Sequence, residues 1–227
     1  MGLRDRKKEQ TRLLIGDTAR RLFTARGFDA VTVAEVAQAA DVSEGTVFNY
    51  FPTKEDLVFG GADVFEAQVI DAVRSRPVGE AVLASFERVV LGNIPRLERR
   101  DVADYIATAA RIIGASRNLR GRWRELLTRH TEELAVLIAE ESGRPAGDVE
   151  AATVAAALMG VRQALVAYIH ASAIAGRRGA ALAGDARSQT KRAFARLEAG
   201  LTDYAIKPSL STARSRRHLP RGGRARV

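Results

Sequence analysis

The stretch from Thr32 to Lys54, TVAEVAQAADVSEGTVFNYFPTK, leaves the backbone few choices. Thr32 and Glu35 have the spacing of a capping box, in which two side chains satisfy each other's free amides at a helix start. Val33, Val36, Ala37 and Ala40 follow at i, i+3, i+4 and i+7, a single apolar stripe on one helical face. Asp41-Val42 makes a turn, because Asp tolerates unusual backbone angles and Val42 plugs the turn from beneath. Ser43 is a strong N-cap for a second helix, whose Val47 and Phe51 lie four residues apart on its buried side. Pro52 stops that helix, and Thr53 with Asp56 starts another.

Two helices this short are unstable alone, since helix nucleation is costly, so they must pack on neighbours. Their pairing across a turn is the helix-turn-helix arrangement, which sets its second helix in the major groove of DNA. The residues turned outward are then Ser43, Glu44, Gly45 and Thr46, followed by Phe48, Asn49 and Tyr50. A purely structural three-helix unit gives such an exposed face no packing role.

At these residues VSEGTVFNYFPTKEDL resembles the signature of the TetR/AcrR family, and ARRLFTARGFDAVTVAEVAQAA is similar to that family's first two helices. The likeness covers about the first quarter of the chain. It implies an all-helical, homodimeric transcriptional regulator, usually a repressor released from its operator by a small molecule. Phe48 stands where the family often has Tyr, so a hydroxyl suited to phosphate is missing and only apolar contact with a sugar or a thymine methyl remains.

The rest of the chain suits that expectation. It is 227 residues long, with 46% apolar and 28% charged residues, and has no cysteine, which excludes disulfides, thiolate metal sites and cysteine nucleophiles. Met1 to Gln10 is charged and lacks the apolar core of a signal peptide. No uncharged apolar run reaches the ~18 residues of a membrane span; the best, Ala151 to Val161, ends at Arg162. A cytoplasmic protein with no membrane partner is expected. The net charge of +9 points weakly to nucleic acid, because seven Lys and Arg residues lie in the acid-free stretch 207–227. Residues 1–59 carry nine basic and nine acidic side chains, so the DNA-binding expectation rests on the motif.

In chain order, a first helix is expected at about residues 9–26, closed by Gly27 and preceded by a flexible basic arm, residues 1–10. Lys54 is expected in the first turn of helix 4, and Gly60-Gly61 marks a bend or a close packing contact. Amphipathic helices follow at about 78–93, 101–115 and 119–142, then an Ala-rich helix to about 175 and a last one at about 185–204. The expected division is a helix-turn-helix domain at 1–52, a helical ligand-binding and dimerisation domain at 53–206 (connecting helix 53–75), and a disordered basic tail at 207–227. The last two helices resemble the family's dimerisation pair.

For base readout the sequence favours Glu44, Gly45 and Asn49: Glu accepts from a cytosine amino group, Asn pairs with adenine, and Gly lets the backbone approach. Thr32, Ser43, Thr46, Tyr50 and Lys54 suit phosphates, and Phe48 an apolar contact. Tyr105, Trp123, Arg162 and Tyr168 are candidates for lining a ligand cavity. His130 is a weaker candidate, expected to be exposed. The three histidines, His130, His170 and His218, lack metal-ligand spacing, and no nucleophile elbow, P-loop or dinucleotide fingerprint is present. No catalytic residue, metal or cofactor is therefore expected. The remaining partners are operator DNA, a second copy of the chain and an unidentified small molecule; the alternative is a DNA-binding regulator or activator that answers to no ligand.

Deletion of residues 207–227 is expected to flatten the salt dependence of DNA affinity, measured as log K against log salt. An unchanged slope would remove the tail from the interaction.

Overall fold

The computed structural model describes the backbone of residues 3–200 and the side chains of 6–59 and 68–200; over that span the chain is all-α, with no strand among the described residues. Helix α1 (Leu3–Arg26) buries Ile15, Ala19 and Phe23. It ends at Gly27, whose φ of +84° few other residues adopt cheaply and whose N–H donates to the Phe23 carbonyl at 2.9 Å. Phe28 then packs edge-on against Phe23 at 5.0 Å between ring centroids. Helix α2 (Val33–Ala39) opens on the Thr32–Glu35 capping box, and α3 (Glu44–Tyr50) on Ser43. Between them Asp41 has a φ of +54°, the one positive value at a non-glycine residue among those described. The Val42 N–H closes the turn on the Ala37 carbonyl at 3.0 Å. Val36, Val47 and Phe51 thereby meet Ile15, Ala19 and Phe23 in one core.

Helix α4 (Asp56–Arg74) runs through Gly60-Gly61 without a break. Its start falls three residues beyond Thr53. Thr53 N–H donates to Asp56 Oδ2 at 2.8 Å and Asp56 N–H to Thr53 Oγ1 at 3.2 Å, so this reciprocal pair shapes the turn ahead of the helix. Next come α5 (Val82–Asn93), a 3-10 helix (Ile94–Glu98) with Pro95 in its first turn, α6 (Arg100–Ala115), α7 (Arg117–Glu141), α8 (Val149–Ile174) and α9 (Gly179–Glu198).

Two starts differ from expectation. α1 begins at Leu3 and not at about residue 9, so the backbone of residues 3–10, the expected flexible arm, is helical. α9 begins at Gly179, six residues before Asp185, because Leu182, Ala183 and Ala186 are buried in a cluster with Ile94 and Leu97. The expected tail at 207–227, residues 201–206 of the expected second domain, and the first two residues lie outside the described span.

Helix α8 is the one described helix long and apolar enough to cross a membrane, with a mean hydropathy of 1.5 over its best window. It packs against α6, α7 and α9 and carries the buried Arg162, as the central helix of a bundle does. A second core gathers Val73, Phe86, Leu134, Ala155, Met159 and Phe194 around it.

The first core does not stop at the helix-turn-helix. Leu57, Val58 and Phe59 of α4, Ile112 of α6, and Leu119 and Leu126 of α7 complete it. Polar contacts reinforce the joint: Asp29 accepts from Ser116 Oγ at 3.1 Å and from Asn118 Nδ2 at 3.4 Å. The Arg20 guanidinium of α1 lies 4.9 Å from the ring centre of Tyr105 on α6, a cation–π contact.

The left-handed turn residue gives a stability test. Asp41→Val should lower stability by about 1–2 kcal/mol, because a β-branched residue fits φ > 0 poorly, whereas Asp41→Gly should be neutral or slightly stabilising. Urea denaturation of the two variants checks the order, and equal midpoints would contradict it.

Candidate nucleic-acid interface and a neighbouring cavity

Because α3 turns ~100° per residue, burying Val47 sends Gly45 and Asn49 to the opposite side and Phe48 to its flank, while Glu44 is exposed in the first turn. Val47 is 1% exposed and Phe48 is 46% exposed. Ser43 is also exposed, while Thr46 and Tyr50 are half-buried, Tyr50 resting on the first core. Ser43 Oγ accepts the Thr46 N–H at 3.1 Å and lies 2.8 Å from Thr46 Oγ1. Only one of the two hydroxyl protons is used in that contact. At Gly45 an added Cβ would meet only Ser43 Oγ, at 3.8 Å, so the fold itself does not demand glycine there.

Thr32 stands exposed at the start of α2. Its N–H and hydroxyl both donate to Glu35 Oε2, at 2.7 and 3.0 Å, and the same hydroxyl oxygen accepts the Glu35 N–H at 3.2 Å. Arg26 pairs with the other carboxylate oxygen at 2.7 Å. The Thr32 amide, then Arg26 and the Thr32 hydroxyl, hold the Glu35 carboxyl down at about 2, so it is fully charged at neutral pH. Lys54 is not in the first turn of α4. It sits in the turn before it, half-buried, with Nζ 4.3 Å from the centre of the Phe28 ring.

Behind this unit a cavity of about 370 Å³ opens between α4, the α5 end with its 3-10 helix, α6, α7 and α8. Tyr105, Trp123 and Arg162 line it, and Trp123 stacks on Phe59 at 5.7 Å. Tyr168 does not. It lies six residues beyond Arg162, about a third of a turn off the stripe that faces the cavity. That stripe is Arg162, Val166, Ile169 and His170, at i, i+4, i+7 and i+8. His170, weighed in the sequence only as a metal ligand, lines the cavity as well; its i+8 spacing from Arg162 is the signal that places it there. Asn93 at the end of α5 and Arg96 of the 3-10 helix also reach the cavity; so short an irregular segment has no clear periodic signature in the sequence. His130 is buried, not exposed, and lies off the cavity: with Leu126, Leu127, Leu134 and Leu137 it forms the inward stripe of α7.

Comparison with known proteins agrees with this geometry. Residues 15–59 match the model for "Bacterial regulatory proteins, tetR family". The HTH-type transcriptional regulator TcmR of Streptomyces glaucescens is 33% identical over 96 residues, 41% of this chain and 42% of TcmR. The chain thus matches less than half of that relative's length. The transcriptional regulator MftR of Mycobacterium tuberculosis is 28% identical over 172 residues, 73% of this chain and 81% of MftR. The crystal structure of NalD, the secondary repressor of the MexAB-OprM multidrug efflux pump in Pseudomonas aeruginosa, superposes with a TM-score of 0.54 at 18% identity. It covers 82% of this chain and 96% of NalD, and shares the fold.

Gly45 separates stability from interface. Gly45→Ala should raise stability by up to about 1 kcal/mol, since alanine is the better helix former, and should weaken DNA binding by adding a methyl to the outward face. Thermal unfolding and DNA titration of the same sample check both signs; unchanged affinity would take Gly45 out of the interface.

Proposed function

The chain belongs to the TetR family of bacterial regulatory proteins through residues 15–59, and on that premise we propose that it is a homodimeric repressor released from a palindromic operator by a small molecule. The observation that carries this reading is a pair of shared residues. Val58 and Phe59 belong to the core that seats α2 and α3, and both also line the cavity. Tyr105 lines it too, and supports Arg20 of α1. A molecule in the cavity therefore touches side chains whose positions determine how the helix-turn-helix is held.

The proposed mechanism is linkage. An occupied cavity favours a different position of α4, which alters the separation of two recognition helices in a dimer. Twofold binding requires half-sites about 34–36 Å apart or a multiple of this, so a modest shift weakens DNA binding. DNA must in turn weaken ligand binding by the same factor.

Within the interface, Glu44 and Asn49 are assigned to base edges, Gly45 to close backbone approach and Phe48 to an apolar contact. Thr32, Ser43, Thr46, Tyr50 and Lys54 are assigned to phosphates. The ring of Phe28 under Lys54 leaves the ammonium able to donate outward. The second copy of the chain is assigned to the outward side of α8, with α9 beside it. There Ala152, Ala156, Gly160, Ala164, Ala167 and Ala171 are all exposed, and side chains this small let another helix approach closely.

DNA fragments retained from a random pool by the purified protein should be palindromic. Asn49→Ala should change the preferred base at one position of each half-site, whereas Lys54→Ala should weaken all sites alike; uniform loss in both would overturn the division of roles. Gly160→Arg should keep the helical circular dichroism signal but elute as a monomer and lose operator affinity at least about tenfold, having only one half-site contact left. An intact dimer would move the interface elsewhere.

A further inference from the structure

The ring of Phe28 is fixed by the core before it meets Lys54. Gly27 turns the chain out of α1, and Phe28 folds back inward until it is 5% exposed, its ring centre 5.0 Å from that of Phe23 at an interplanar angle of 62°. A ring so enclosed cannot swing aside, because close-packed interiors hold side chains in single rotamers. Lys54 reaches it from the far side of the helix-turn-helix. Phe51 and Leu57, which flank Lys54 in the chain, lie in the same core as Phe28. The Lys54 backbone is set by the reciprocal Thr53–Asp56 pair, and its carbonyl accepts the Leu57 N–H at 3.3 Å. Both partners are thus anchored independently, and Lys54 Nζ lies 4.3 Å from the centre of the Phe28 ring.

That contact differs in kind from those of the α1 arginines. Arg12, Arg20 and Arg26 each lie against a carboxylate, that of Glu9, Asp17 and Glu35 respectively. A carboxylate cancels the charge it holds. An aromatic face attracts an ammonium through its quadrupole and brings no net charge of its own, so the cation stays a cation. We propose that Phe28 is a positioning residue for DNA binding, its ring holding the Lys54 ammonium, still charged, where a phosphate of the half-site arrives. A lysine on a flexible four-carbon stem loses rotamer freedom when it grips a phosphate, and a stem already held by the ring loses less. The inference rests on the reading of Lys54 as a phosphate contact and adds the residue that places it.

The test is a double-mutant cycle on the full chain, titrated against a fragment retained from the random DNA pool. Phe28→Leu keeps an apolar side chain in the core and removes the ring. It should weaken binding about two- to fivefold for each half-site, the range of an exposed cation–π contact. In a Lys54→Met background the same change should cost nothing further. An equal loss in both backgrounds is the mark of a purely structural role for Phe28 and would overturn the proposal. A ring-trifluorinated phenylalanine at position 28 keeps the bulk but drains the ring face of electron density, so it carries the test where Phe28→Leu does not fold; full affinity with that ring would also overturn the proposal. Without DNA, the ring current of Phe28 should shift the Lys54 ε-methylene protons upfield, and Phe28→Leu should return them. No such shift would reject the positioning role and leave Lys54 as a phosphate contact. Unchanged affinity of Lys54→Met alone would reject the phosphate contact itself, and the proposal with it.

Discussion

Two seven-residue helices hold their shape only through what they bury. Val36 on α2, Val47 on α3 and Phe51 just after it insert against Ile15, Ala19 and Phe23 of α1, and neither short helix has another source of stability of comparable size. The same burial sets the rotation of α3 about its axis. Gly45, Phe48 and Asn49 face water because Val47 cannot, and Glu44 joins them from the open first turn. A surface that leaves a phenylalanine 46% exposed while valine and alanine fill the inside is thus a consequence of the core.

That core also explains why the DNA-binding unit and the helical body are mechanically joined. Leu57, Val58 and Phe59 complete it from α4, and Ile112, Leu119 and Leu126 from α6 and α7. Asp29 is hydrogen-bonded at the junction of α6 with α7, and Arg20 rests on Tyr105. A densely packed joint cannot be displaced at one side without a response at the other, because interiors resist deformation. In the proposed reading this is how occupancy of the cavity reaches the recognition helix. Phe59 is the clearest link, fully buried in the head's core and stacked on the cavity's Trp123.

How much could be read in advance depended on how local each feature is. Caps and turns depend on neighbours three or four residues away. The Thr32–Glu35 box, the Ser43 cap and the left-handed Asp41 stand in the structure as their residue types imply. Lys54 was misplaced because the Thr53–Asp56 pair shapes a turn before the helix begins, a distinction of one turn that residue spacing does not resolve. His130 was judged by its polar flanks in RELLTRHTEEL, yet it continues the leucine stripe of α7 and is buried.

The sequence alone determined the all-helical class, the helix-turn-helix and the face it turns outward, since these follow from short-range periodicity, capping and the need to bury one stripe. It also supplied Tyr105, Trp123 and Arg162 as cavity candidates, but not their grouping. Only the tertiary structure decided that Arg162 and His170 share a wall with Val58, Asn93 and Tyr105, that Tyr168 turns away, and that Arg20 meets Tyr105. Such encounters depend on how whole helices cross, and crossing is set by the summed packing of all their faces, which no local pattern records.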